Sequence, residues 1–185
     1  MNRYLLPLGF LGILFFFIAK IPPLSGADSV AGSKTLDFRP ISYFNNQCAR
    51  CHGPGGSFYG DQFAADLSPA ELKHTVDEMA AGPGGAPVHG DSLEALYQYH
   101  LGLSKGKPFL VITEVSDGSI AGEVTEGTQV VLTSAGDTLH ATLAENTWRI
   151  VGDLQIQPHS KLLLISESDT LTVHPTRQAY TTFSE

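Results

Sequence analysis

The hydrophobic pattern of the chain changes near residue 105, and this change constrains the fold more than any other feature. From Pro40 to Leu103 the apolar residues recur at helical spacing. Beyond residue 108, short runs rich in β-branched and aromatic residues are separated by Gly, Asp and Asn, which is typical of antiparallel strands in a sandwich or barrel. These runs are FLVITEV, QVVLTS, TLHATLA, TWRIVG and KLLLIS.

The two patterns predict two domains in a chain of 185 residues, a length that suits one domain or two small ones. We expect a helical domain at residues 35–104, a short linker at residues 105–108 and a strand domain at residues 109–185. The predicted fold class is therefore an all-α domain followed by a small all-β sandwich domain.

The charge of the chain limits its partners. It carries 11 Lys and Arg against 19 Asp and Glu, which gives a formal net charge of −8. Nucleic-acid binding depends on basic residues that neutralise phosphates, and no Lys/Arg-rich run is present. We therefore expect no nucleic-acid partner.

The N-terminus has the features of a targeting segment. Arg3 precedes the apolar run Leu5–Ala19, and the small residues Ser25 and Ala27 follow at a position suited to signal cleavage. The run is short for a membrane span, which needs roughly 20 apolar residues. The sequence predicts a signal peptide at residues 1–27, with an uncleaved N-terminal membrane anchor as the alternative. Either form places the rest of the chain in the periplasm or facing the exterior.

Three segments before residue 105 have helix signals. The first, PISYFNNQCAR, begins at Pro40, a residue favoured at the first helical position. The second, SPAELKHTVDEMAAG, has Ser68 as a cap with Glu71 three residues later. The third, DSLEALYQYHLG, repeats this arrangement with Asp91 and Glu94.

Both cysteines of the chain lie in the motif CARCH, at Cys48 and Cys51, with His52 directly after them. Covalent haem attachment requires two thiols, which add across the two vinyl groups, and an imidazole that reaches the iron. Residues three apart on a helical turn lie on one side, so both sulfurs can face one porphyrin edge. The motif therefore favours one covalently bound haem c.

Other interpretations of this motif remain open. A redox dithiol normally follows a strand in a βαβ setting, whereas a helix precedes this motif. A structural zinc site needs four protein ligands, and the chain has no second paired motif. A disulfide across so small a loop would contribute little stability.

Residues 36–104 resemble a small class I c-type cytochrome domain. The resemblance rests on a helix that leads into CARCH, the loop GPGGSFYG, a middle helix and the final helix with LEALYQYH. It implies an all-α cytochrome c domain whose first and last helices cross. In such a crossing, Tyr97 would pack on Tyr43 or Phe44.

By the same resemblance, Cys48 and Cys51 would form the thioethers and His52 would be the proximal iron ligand. The distal ligand is open, because Ala86–Pro87 stands where the family has Met–Pro. Met79 is one distal candidate, although its helical spacing also suits a core residue. His89 is the alternative candidate, and a third possibility is another residue or no protein ligand at all.

The strand region resembles carboxypeptidase-regulatory or transthyretin-like sandwiches, on the segment GSIAGEVTEGTQVVLTSAGDTLHATLAENTWRI. Trp148 in this segment is expected to anchor the core. No Ser–His–Asp order, phosphate loop or carboxylate pair stands out in the strand region.

These observations predict an exported monohaem c-type cytochrome that transfers single electrons and is not an enzyme. Its acidity favours a redox protein partner with a basic docking patch, and the strand domain would serve docking or spacing. Two alternatives are a haem enzyme or sensor with an open distal site, and a β-domain interaction module that carries a redox tag.

Overall fold

The computed structural model describes residues 32–60 and 62–183. The predicted signal peptide or anchor at residues 1–27 lies outside these residues. Among the helices that are described, none is both long and apolar enough to cross a bilayer.

In the part of the chain that the structure describes, the helices all lie before residue 105. A short 3-10 helix at Pro54–Gly56 follows the second of them. The α-helices are α1 (Pro40–Gln47), α2 (Ala49–His52), α3 (Pro69–Ala81) and α4 (Gly90–Ser104). The predicted cap of α3 is confirmed: the Ser68 hydroxyl accepts from the Glu71 backbone N–H, and the Glu71 carboxylate accepts from the Ser68 N–H at 2.8 Å.

The strands form two antiparallel four-stranded sheets. The first sheet has the order β1-β2-β6-β5 and the second the order β4-β3-β7-β8. The strands are β1 (Leu110–Ser116), β2 (Ser119–Val124), β3 (Gln129–Ser134), β4 (Asp137–His140), β5 (Thr142–Ala144), β6 (Thr147–Val151), β7 (Lys161–Ile165) and β8 (Thr170–Val173). Apolar side chains of both sheets meet between them, with Trp148 fully buried, as predicted, in that core.

The first three residues of strand β1 are buried, on both faces of the strand. Leu110 and Ile112 point into the core between the sheets, whereas Phe109, just before the strand, and Val111 belong to the core of the helical region. Successive residues of a strand point to opposite faces, so one strand serves two cores. The helices therefore cover the outer face of the first sheet at this strand.

Gly122 allows β1 and β2 to approach closely beside an irregularity in their register at Ile112/Glu114. A Cβ atom at Gly122 would lie 1.8 Å from the Val111 carbonyl oxygen, so any other residue would force the strands apart.

A carboxylate from the first sheet holds the start of α1. The Glu123 side chain of β2 is fully buried and accepts hydrogen bonds from the backbone N–H groups of Ile41 (2.9 Å) and Ser42 (3.1 Å). It also accepts from the Ser42 hydroxyl. The first N–H groups of a helix lack partners within the helix, and an anion there is favourable.

The C-terminal segment returns to the helices. The Phe183 backbone N–H donates to the Gln98 side-chain oxygen on α4 at 2.8 Å, and the Phe183 ring lies against Gly102. Thr181 pairs with Leu110 of β1 through its backbone and its hydroxyl.

The predicted fold class is therefore wrong. The chain is not an all-α cytochrome domain followed by a β-sandwich: its described residues combine four α-helices with two antiparallel sheets in one layered α+β arrangement. The physical reason is the shared burial, because the helical core includes Phe109 and Val111 and α1 depends on Glu123 of β2.

We expect Glu123→Ala to lower the free energy of unfolding by about 3 kcal/mol, because the buried N–H groups at the start of α1 lose their acceptor. Glu123→Gln should lower it by less, since one amide oxygen remains as an acceptor. Denaturant unfolding of the whole chain measures both. The exposed neighbour Glu126→Gln is the control and should stay within about 0.5 kcal/mol of the wild type. Equal stabilities for Glu123→Ala and this control would contradict the role of Glu123.

Candidate functional site

A cleft lies between the CARCH segment, the loop after it, α3 and α4, and its space of about 820 Å³ includes the open solvent at its mouth. The walls are mainly apolar, with side chains from the loop, α3 and α4: Leu67, Leu72, Val76, Met79, Ala80 and Leu96. Cys48, Cys51 and His52 line the same cleft.

The backbone places the two cysteines on one helical turn. Cys48 follows the last residue of α1, and its carbonyl accepts from the N–H groups of Cys51 (3.0 Å) and His52 (3.1 Å). The chain then reverses at Gly53, whose φ is +75°. A Cβ atom at Gly53 would lie 2.3 Å from the Ser57 hydroxyl oxygen and 2.8 Å from the Phe58 ring, so only glycine fits this turn.

The two cysteines are free thiols, with Cys48 half-buried and Cys51 exposed. Burial raises the pKa of the Cys48 thiol, and the neighbouring Cys51 adds to this effect. Redox-active dithiols work through a thiol whose pKa is lowered. The surroundings of Cys48 therefore oppose the alternative of a redox dithiol.

The His52 ring rests on an aromatic wall. Its centroid lies 4.9 Å from that of Tyr59, which in turn stacks on Phe63 at 3.7 Å with nearly parallel planes. Phe44 of α1 lies behind, 6.5 Å from His52. This wall restricts the orientation of the imidazole beside the two thiols.

The residues predicted as distal ligands lie in different places. Met79, near the end of α3, lines the cleft and is 39% exposed. His89 is exposed at the cap position before α4 and does not line this cleft. The loop around Ala86 is held by the Tyr43 hydroxyl, which donates to the Ala86 carbonyl at 2.5 Å.

The first and last helices meet through a different aromatic pair from the predicted one. Phe44 packs edge-on against Tyr99 at 5.5 Å, and Tyr99 packs against Phe109 at 5.6 Å. Tyr97, which was expected at this crossing, is buried next to α3, where the Lys73 ammonium lies 5.9 Å from its ring centroid.

His100 is a cleft residue that the sequence interpretation missed. It lines the cleft from α4 and is 6% exposed. Burial lowers the pKa of His100 to about 4, and His52 acts in the same direction. The available signal was its spacing: His100 follows Leu96 by one helical turn and so shares the buried face of α4.

Within residues 32–60 and 62–183, no group of three or more His, Cys, Asp or Glu side chains could hold a metal ion. The thiols and imidazoles that line the cleft are instead two thiols on one turn, an imidazole directly after them and a second imidazole on α4. Such a donor set, in mainly apolar walls, fits a porphyrin that brings its own nitrogen ligands better than a bare ion.

No family model matches the chain, and no curated protein or solved structure matches it either. Together with the absence of a metal-binding group in the described part of the chain, this corrects the two resemblances drawn from the sequence. The assignments to class I c-type cytochromes and to carboxypeptidase-regulatory or transthyretin-like sandwiches are not supported. The physical reason is that a motif as short as CARCH describes one helical turn and does not define the fold around it.

We expect His100 to make the free energy of unfolding fall as the pH is lowered. Its pKa is about 4 in the folded chain against 6.5 ordinarily, so as pH falls the unfolded chain takes the proton first. The contribution of neutral His100 to the free energy of unfolding is present above pH 6.5. It is lost as pH falls towards 4, a loss of roughly 3 kcal/mol. Unfolding free energies at pH 7 and pH 4 should differ less in His100→Leu than in the wild type.

The exposed His159→Leu is the matched control for this measurement and should keep the pH dependence of the wild type. The same pH dependence in His100→Leu and the wild type would show that His100 is not held neutral by burial.

Proposed function

We propose that the chain binds one haem c covalently in the cleft, through Cys48 and Cys51, and that His52 binds its iron. The observation that supports this proposal is the cleft lining: both thiols, His52 and a set of apolar side chains border one open cleft. The proposal rests on this site and does not place the chain in a known cytochrome family.

The residues of the cleft have separate tasks in this proposal. Each thiol adds its S–H across one vinyl group, which forms a thioether and releases nothing. The bound group supplies a one-electron iron couple. Tyr59 orients the His52 ring, and Leu72, Val76 and Leu96 exclude water from one side of the cleft.

We propose electron transfer as the activity, because the opening of the cleft would leave an edge of the bound group accessible to a partner. The opening is bordered by Leu67 and Met79, which are 41% and 39% exposed. A partner could therefore approach the bound group directly. The net charge of −8 favours a redox protein with a basic docking patch, and the association rate should fall as salt rises.

The N-terminal sequence supports an exported location for this electron carrier, in the periplasm or anchored to the membrane and facing outwards. The strand region has a structural task in this proposal, since Glu123 fixes the start of the helix that leads to Cys48.

A second candidate function is a haem sensor or enzyme with an open iron position. It is favoured by the loop before α4, where Ala86 has no ligating side chain and His89 does not line the cleft. Met79 distinguishes the two candidate functions, because its thioether side chain lines the cleft and could bind the iron.

The first test of the proposed function is covalent attachment. Full-length chain exported by a host that supplies haem should keep the added mass of one haem after denaturation. Cys48→Ala with Cys51→Ala should lose it, because both thioethers are gone, while the control His89→Ala should keep it. Wild-type chain without the added mass, in that host, would reject the proposal.

The second test separates the two candidate functions. If Met79 binds iron, the oxidised protein has a thioether-to-iron absorption band near the red end of the visible spectrum. Met79→Leu should remove this band and His89→Leu should preserve it. Reduced wild-type protein should then bind carbon monoxide poorly. A wild type without this band that binds carbon monoxide readily would instead support the open position.

A further inference from the structure

His100 lines the cleft and has one ring edge turned to its own helix. Nδ1 lies 2.8 Å from the Leu96 carbonyl oxygen, one turn earlier in α4. The ring also packs edge-on against Phe44 at 5.4 Å and against Tyr99 at 5.9 Å. These contacts hold the imidazole in one orientation. His100 is buried, with 6% of its surface exposed.

The partner of Nδ1 fixes the tautomer. A carbonyl oxygen can only accept a hydrogen bond, so Nδ1 carries the proton. A neutral imidazole has one N–H, which leaves Nε2 with an unshared electron pair. Nε2 has no hydrogen-bond partner among the residues that the structure describes, and the ring lines the cleft.

The ring is neutral at physiological pH, since burial lowers the pKa of His100 to about 4. It therefore brings a fixed dipole to the cleft rather than a charge. The negative end of this dipole is the Nε2 side. Fixed dipoles in a site of low polarity act strongly on charge that changes there, because they need no reorganisation.

We propose that His100 is a positioning residue that presents the Nε2 lone pair to the group held by Cys48, Cys51 and His52, and thereby lowers its reduction potential. The inference rests on the proposed function. The reason for the direction is electrostatic: the negative end of a dipole stabilises the more positive, oxidised state of a nearby iron.

Reduction potentials of full-length haem-loaded variants test the proposal. His100→Leu should shift the potential to a more positive value, because the dipole is lost. His100→Gln should restore it towards the wild type, since its amide can donate to Leu96 and present its oxygen to the cleft. His159→Leu, the same substitution at an exposed position of the strand region, is the matched control and should leave the potential as in the wild type.

A second measurement needs no haem. Nitrogen-15 chemical shifts of the imidazole in full-length protein show which ring nitrogen carries the proton, and we expect a protonated Nδ1 and a bare Nε2. A protonated Nε2 would overturn the proposal, as would a potential in His100→Leu that is unchanged or more negative. A shift in His159→Leu equal to that in His100→Leu would also overturn it.

The two measurements separate this inference from the proposed function. A chain that attaches no haem contradicts the proposed function, while the ring nitrogen shifts still decide the orientation of His100. A haem-loaded chain with a protonated Nε2 leaves the proposed function standing and removes the role of His100.

Discussion

The buried carboxylate of Glu123 is the interaction on which the rest of the structure depends. Desolvation of a carboxylate is costly, and hydrogen bonds from the start of α1 offset that cost. Because Glu123 sits in β2, between β1 and β6, the register of the first sheet determines where α1 begins. Cys48 directly follows the last residue of α1, so the position of the first thiol depends on a strand that is distant in sequence.

The same layer also forms the support behind the cleft. Phe109 and Val111 at β1 complete the apolar core of the helices, and Tyr99 of α4 packs between Phe44 and Phe109. The cleft lies on the other side of Phe44, where His52 and His100 contact its ring. Removal of the strands would therefore expose the back of the helical core, and for this reason the cleft depends on the helices and the strands together.

Local features were predictable from the sequence, whereas contacts between distant segments were not. The capping box at Ser68 is confirmed, because its signal lies within four residues. The burial of Trp148 is confirmed for a similar reason, as strand alternation is local. The shared core was missed, although the run FLVITEV carried a signal: a strand that is apolar on both faces needs cover on both sides. The role of Glu123 had no local signal, since its partners lie about 80 positions away, with separations of 82 and 81 residues.

The state of the two thiols connects the fold to the chemistry of the cleft. Two free thiols on one turn would be exposed to oxidation in an exported protein. Attack on a disulfide or an oxidant requires the thiolate, and burial raises the pKa of the Cys48 thiol. The cleft therefore slows the competing reaction of Cys48 while it holds Cys48, Cys51 and His52 beside one apolar space. Slow oxidation of Cys48 would keep its thiol available for the covalent attachment proposed above.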